Sequence, residues 1–351
     1  MRYSFSTKKV ILLLGVVLTP ATGCLQNEEP SFNELIQQGP SVLAYYFGEH
    51  SPISQQSDPY ISSLYRPGDL LYQPILDFQN GRLDKAVPKL KSLSEGGNAD
   101  AMFWYADFLT KSSVKTKHEG YLWFEKAAKL GNPYAAMVLV PTSKICKDYF
   151  KELCSIHWQD TAKSLLEKRA AGGDLRAKYY LERPINPHTK ADFEKMLALV
   201  DESAKMNFFI PTLDMLKFYE GMGDSTDSEI VRILQIVAKY NFLPAYIALN
   251  EFSTKNEIYP TAIKLGSKVQ LEIDALRCTK ESHKLAIQDL IDCLSKAYTL
   301  NDFYNEPFTL KYMVLPDDPN LIQKAKEKSK AFIDTMTPTV YIDEMHVDGF
   351  F

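Results

Sequence analysis

The feature that most constrains this 351-residue chain is a pattern that recurs five times. Small residues stand at Ser94, Ala128, Ala170, Ala204 and Ala238. Three positions on come Gly97, Gly131, Gly173, Asn207 and Asn241, and four beyond those come Ala101, Ala135, Ala177, Pro211 and Ala245. A large apolar residue precedes each small one by four: Leu90, Phe124, Leu166, Val200 and Leu234. Successive copies are spaced by 34, 42, 34 and 34 residues. A fixed period in this range belongs to stacked helical hairpins, in which each unit buries its apolar face only against its neighbours.

The copy from Gly120 to Val140 is the clearest. Gly120, Phe124, Ala127 and Ala128 share one helical face, and Glu125, Lys126 and Lys129 lie off it. Gly131 closes the helix in the left-handed conformation, which Gly enters freely and Asn next best. That preference accounts for Gly, Gly, Gly, Asn, Asn down the five copies. Pro133 can open the second helix, where no hydrogen bond is lost. That helix carries Ala135, Ala136, Val138 and Leu139. The small positions predict close helix crossings, with the large residues filling the space beside them.

Trp123-Phe124-Glu125-Lys126-Ala127-Ala128 followed by Gly131-Asn132-x-x-Ala135 resembles the core of the Sel-1-like repeat. Lys85-Ala86 with Gly97-Asn98-Ala99-Asp100-Ala101 matches the same pattern one copy earlier. Met215, Leu216, Tyr219 and Gly223 resemble the end of the second helix in the fourth copy. The resemblance spans residues 82 to 253 and thins in copies three to five, where Arg169 and Val237 replace an expected Ala. A generic tetratricopeptide-type repeat is the nearest competitor. The resemblance implies an all-α fold, an α-solenoid of Sel-1-like or tetratricopeptide-like helix-turn-helix repeats with a helical C-terminal cap.

The start of the chain carries an address. Arg2, Lys8 and Lys9 precede an apolar run from Val10 to Leu18, too short for the ~20 residues a bilayer needs and proportioned as an export signal. It ends in Ala21-Thr22-Gly23-Cys24, which resembles a bacterial lipobox with Ala21 where that family usually has Leu. A plain secretion signal cut near Ala21 is the alternative. Leu25 after Cys24 resembles the sorting signal for the outer membrane of a Gram-negative bacterium, which implies a periplasmic body held by its lipid anchor alone. Removal of Arg2, Lys8 and Lys9 takes the formal charge from −4 to −7. With no basic stripe, nucleic acid is not an expected partner, and the acidic body slightly favours a basic protein.

The expected division is 1–23 signal peptide, 24–60 tether, 61–253 repeats and 254–351 helical C-terminal region and tail. The tether contains a short helix from Ser31, where Ser31-x-x-Glu34 fits a capping box. His283 to Phe303 reads as helix, with Ala297 marking a worn sixth repeat, and Leu321, Ile322, Ala325, Phe332 and Ile333 make an amphipathic closing helix. Val340 to Phe351 is either a docked strand or a loose end. Four cysteines remain after Cys24: Cys146, Cys154, Cys278 and Cys293. Four allow three pairings, and proximity favours Cys146–Cys154, inside the long second step, and Cys278–Cys293, worth roughly 3 kcal/mol in the chain-entropy model. Buried free thiols are the alternative.

No Gly-x-Ser-x-Gly, phosphate loop or dinucleotide glycine pattern is present. The histidines (His50, His118, His157, His188, His283, His346) are scattered. Asp343, Glu344, His346 and Asp348 could ligate a cation, but a solvated acidic tail is the expectation. Trp104, Trp123 and Trp158 read as core or crossing residues. The chain is therefore expected to be no enzyme and to hold no cofactor or metal. It is expected to be a lipid-anchored scaffold that grips another protein, with Tyr105, Leu122, Lys126 and Lys129 as off-face contact candidates. Exported Sel-1-like repeat proteins resemble immunity proteins that neutralise antibacterial toxins, including lipases delivered by type VI secretion, and that resemblance implies occlusion of such an effector. The other reading is a structural or regulatory organiser of an envelope complex, or a host-contact factor.

Overall fold

The computed structural model describes residues 54–185, 187–219, 224–252, 259–281, 285–313 and 315–347, with a few positions between 34 and 48. Cys24 with its lipobox, the cap at Ser31, Gly223, Asp348 and the last residues lie outside the described residues. The protein is all-α, with no strand among the described residues. Helix α1 (Tyr72–Gln79) leads into a series of helical hairpins: α2 (Leu83–Glu95) with α3 (Ala99–Ser112), α4 (Lys117–Lys129) with α5 (Pro133–Val138), and α6 (His157–Ala171) with α7 (Leu175–Glu182). Next come α8 (Lys190–Lys205) with α9 (Ile210–Leu216) and α10 (Asp224–Ala238) with α11 (Leu243–Phe252). They are followed by α12 (Tyr259–Lys264), α13 (Val269–Glu281), α14 (Ile287–Tyr304), α15 (Phe308–Tyr312) and α16 (Pro319–Asp334).

The hairpin turns fall where the five-fold pattern places them. Gly97, Gly131, Gly173, Asn207 and Asn241 have φ of 94°, 100°, 91°, 61° and 58°. The amide of each donates to the carbonyl of the small residue three positions earlier. At the first four turns the next amide, of Asn98, Asn132, Asp174 and Phe208, reaches the carbonyl five positions back, so two otherwise orphaned helix-end acceptors are filled. The following helix is then capped in the first three hairpins. Asn98, Asn132 and Asp174 accept from the amides of Ala101 (2.8 Å), Ala135 (2.7 Å) and Ala177 (3.0 Å). The Gly-Asn-x-x-Ala spacing is thus a helix stop fused to a helix start.

Leu90, Phe124, Leu166, Val200 and Leu234 are all buried, as are Ala101, Ala135, Ala177, Pro211 and Ala245. The small row is less regular. Ser94, Ala128 and Ala238 are buried, whereas Ala170 and Ala204 are only half-buried, and Ser203 is the buried small side chain beside Ala204. A close crossing without a residue of the small row lies at Gly120. A Cβ there would sit 2.3 Å from Thr110 Oγ1 and 2.9 Å from the Ala106 carbonyl oxygen, so α3 and α4 approach backbone to side chain. The two departures from the repeat pattern are both used. Val237 is fully buried, and Arg169 donates to Asp100 at 2.6 Å, which also accepts from Asn132 Nδ2 at 2.8 Å. One carboxylate so links the first three hairpins.

The eight extra residues of the second step form a π-turn (Cys146–Phe150) and a 3-10 turn (Lys151–Leu153) closed by a Cys146–Cys154 disulfide. Phe150 docks edge-on against Tyr121 and Phe124 of α4. Cys293 is also disulfide-bonded, and the side chain of Cys278 lies outside the described residues. Trp104 and Trp158 are buried and Trp123 packs against the same core. The closing helix is present as α16, packed along α14. Ala297 is buried inside α14, but the left-handed residue ending that helix is Asn305, so Ala297 does not mark a hairpin turn.

Two cores run through the hairpins. One joins the first three hairpins to Val340 and Ile342, and the other joins the fourth and fifth to Leu265. Between them α7 and α8 barely approach one another. Leu64, Phe208 and Tyr341 touch both cores, and all three come from non-helical segments. Residues 54–60, expected within the tether, are instead packed against the fifth hairpin. The amide of Gln56 bonds the Lys239 carbonyl at 2.8 Å, and Asn241 Nδ2 donates to the carbonyls of Asp58 (2.7 Å) and Gln56 (3.1 Å). The turn residue Asn241 supplies side-chain donors that Gly would lack, which fastens the segment there. As far as Val347 the tail is neither a strand nor loose: Met336, Thr339, Val340, Ile342, Asp343 and Glu344 are buried. The acidic residues expected in solvent are thus packed among the helices.

Candidate functional site

Two surfaces are candidates. The outer one carries the four contact candidates from the sequence. Leu122 is 48% exposed, and Lys129 is exposed and paired with Glu125 at 3.0 Å, the i, i+4 geometry of a solvated helix face. Lys126 lies 4.6 Å from the Trp123 ring centroid. Tyr105 departs from its expected off-face place. It is 5% exposed, because its ring packs edge-on against Trp123, with centroids 5.6 Å apart. The four therefore do not form one open patch: Tyr105 supports Trp123 from below, and Lys126 covers it.

The inner surface was not singled out from the sequence, which placed its acidic residues in solvent. The tail runs across α1, the third and fourth hairpins, and α12. Its main chain is held by groups from all sides. Tyr72 OH donates to the Pro338 carbonyl (2.7 Å) and Gln79 Nε2 to the Thr339 carbonyl (3.0 Å), while Gln79 Oε1 accepts from the Tyr341 amide (2.9 Å). The amides of Thr337 and Thr339 reach the carbonyls of Lys264 (2.8 Å) and Leu265 (2.9 Å), and the Leu64 amide reaches the Val340 carbonyl (2.9 Å).

The tail's side chains then enter an aromatic and charged node. Asp343 accepts from Tyr180 OH (2.8 Å), from the amides of Met345 (2.9 Å) and His346 (2.8 Å), and contacts His346 Nδ1 (3.0 Å). His346 Nε2 faces Asp214 of α9 at 3.4 Å, and Asp214 also takes Tyr179 OH of α7 (2.8 Å) and Arg183 at that helix's C-terminal end (3.3 Å). Glu344 pairs with Arg176, whose guanidinium lies 4.6 Å from the Tyr134 ring centroid. Arg183 lies 4.7 Å from the ring of Tyr180. Cation–π contact keeps these arginines in place where carboxylates meet them.

Burial disfavours a charged His346, but Asp214 and Asp343 on either side outweigh it and hold the imidazole at about 9. The same contacts hold Asp343 and Asp214 below the usual carboxylate range despite burial. Burial pushes the Glu344 carboxyl up to about 7, with Arg176 opposing and Asp100 and Asp343 adding to the rise. The sequence carried a signal for this node, since Arg176, Tyr179 and Tyr180 of α7 and Arg183 just past its end recur at helical spacing. Nothing in it located the partner carboxylates across more than 160 residues.

A cleft of about 370 Å³ lies beside the tail, lined by Phe78, Phe108, Asp107 and Lys111 from the helices and by Tyr341, Ile342 and Val347 from the tail. Among the described residues no group of three or more His, Cys, Asp or Glu side chains is arranged to hold a metal ion, and no helix is long and apolar enough to cross a membrane. No family model, characterised protein or solved structure matches this chain.

Proposed function

We propose that this chain is an α-solenoid of Sel-1-like, tetratricopeptide-like hairpins that works by holding another protein rather than by catalysis. The observation that carries the reading is the turn series. Five left-handed closures with a shared hydrogen bond join the two helices of each of five hairpins at a nearly constant period. Stacks of this kind present long surfaces rather than a pocket with reactive groups. On the lipobox reading the protein is anchored through Cys24 at the periplasmic face of the outer membrane, with no cofactor and no nucleic acid partner. In its sharper form it is an immunity protein that occludes an antibacterial, lipase-like effector of type VI secretion. Resemblance of the repeats and of the export signal supports that form, and the acidic body suits a basic effector.

Photoreactive residues placed at Leu122 and Lys126 in living cells test the scaffold role. Capture of one specific protein supports it; absence of any specific adduct removes this face as the grip, and absence of any specific partner in a crosslinking pull-down of the whole protein contradicts the role. Deletion of the gene should leave cells sensitive to attack by sister cells; unchanged survival removes the immunity form.

A further inference from the structure

The inner groove has the construction of a peptide-recognition site, and the segment seated in it shows what it recognises. The tail is held extended by main-chain bonds to Tyr72, Gln79, Leu64, Lys264 and Leu265, which read no sequence. Specificity comes from Val340 and Ile342, which fill apolar positions of the first core, and from two adjacent carboxylates. Asp343 meets Tyr180 and Glu344 meets Arg176, with Arg169 and Arg183 on neighbouring turns. Main-chain bonds for affinity and alternate side-chain pockets for selectivity are the division of labour seen when proteins bind extended segments.

The groove lies beside the seam between the two cores, where α7 and α8 make no close backbone crossing and meet through side chains, chiefly Lys178 with Glu202 at 2.5 and 2.6 Å, so no close helix crossing depends on the tail.

We propose that this groove is the partner-binding groove of the protein and that residues 336–347 are its built-in competitor. The partner presents an extended segment in which an aliphatic residue precedes two adjacent carboxylates. The inference rests on the protein-binding reading above and names the surface and the chemistry of the partner. The outer face around Leu122 is then not the principal grip.

The test uses the full chain, wild type and the double variant Asp343→Asn with Glu344→Gln, titrated against a fluorescent peptide of residues 339–347. The same peptide with Asn and Gln at the two acidic positions is the control. The double variant should bind the acidic peptide saturably and at least about ten-fold more tightly than the control, a difference of about 1.4 kcal/mol. Wild type, with its own tail in place, should bind it about ten-fold more weakly than the variant does. A folded variant that binds the two peptides alike, or neither, overturns the proposal. Should the variant not fold, hydrogen exchange of the wild type decides. Amides 339–346 exchanging well before those of α3 and α4 support a tail that leaves, and exchange only with global unfolding overturns it. Partner capture at Leu122 without peptide binding overturns the groove assignment alone. Absence of both peptide binding and any specific partner in the pull-down overturns the protein-binding reading as well.

Discussion

The first three hairpins and the next two solve the same turn in different ways. In the first group Gly takes the left-handed position and Asn or Asp caps the following helix, so the turn is complete within four or five residues. In the second group Asn takes that position, Phe208 and Phe242 stand where the cap would be, and Pro211 and Pro244 enter the first turn of the next helix. Phe209 and Phe242 are buried against each other, with centroids 5.7 Å apart. A polar local signal has been exchanged for an apolar one that works only once the hairpins pack. The second group therefore depends on tertiary support, and the structure supplies it: residues 54–60 fasten Asn241, and the tail fastens α7 to α9. Local chemistry specifies the first group, and distant segments complete the second.

The largest expected effect lies at the junction between the groups. Arg176→Ala leaves Glu344 buried without its cation and should cost about 3–5 kcal/mol, read from denaturant midpoints. A loss below about 1 kcal/mol would mean that the tail is not a structural link. Within the first group, two glycines separate crowding from backbone conformation. Gly120→Ala drives a Cβ into Thr110 and Ala106 and should cost about 1–3 kcal/mol. Gly131 has open space around it but a φ of 100°, so Gly131→Val should cost about 1–2 kcal/mol through the backbone alone, and Gly131→Asn much less. If Gly131→Asn proved as damaging as Gly131→Val, the left-handed turn would not be the cause.

Smaller effects sharpen the contrast. Asn132→Ala removes a cap and should cost about 1 kcal/mol. Asn241→Gly keeps the turn but loses the bonds to residues 56 and 58, so it should cost more than Asn207→Gly, by about 1 kcal/mol. The pH dependence follows from the node. The raised His346 contributes stability that is complete below its ordinary value of 6.5 and is lost as pH rises through about 9. Glu344, also raised, adds a term present below 4.5 and lost as pH rises through about 7. Asp343 and Asp214 are lowered, and their contribution is present above 3.8 and lost on acidification. Stability should peak in mild acid and fall toward pH 9, and His346→Gln should flatten the alkaline limb. An alkaline limb of unchanged slope in that variant would place the titration elsewhere.

Much of the first group was readable from sequence because its determinants are local. Gly131, Asn132 and Ala135 act on backbone groups within five residues, and Cys146 and Cys154 are close enough for proximity to favour them. The tail was misread because its fate depends on residues far away in the chain. Asp343 and Glu344 have the composition of a solvated end, and only Arg176, Tyr180 and Asp214 on packed helices make them interior. Tyr105 was misplaced for a related reason. Helical periodicity gives a face, but whether the neighbouring helix covers that face depends on how closely Gly120 lets α4 approach.

The chain's three tryptophans, Trp104, Trp123 and Trp158, all belong to the first core, whereas far-ultraviolet circular dichroism reports every helix. Denaturant unfolding followed by both probes therefore asks whether the tail makes one cooperative unit of the two cores. The expected result is a single coincident transition in the wild type that separates into two in Arg176→Ala. Two transitions already present in the wild type, or one that stays coincident in the variant, would contradict a tail that joins the two groups.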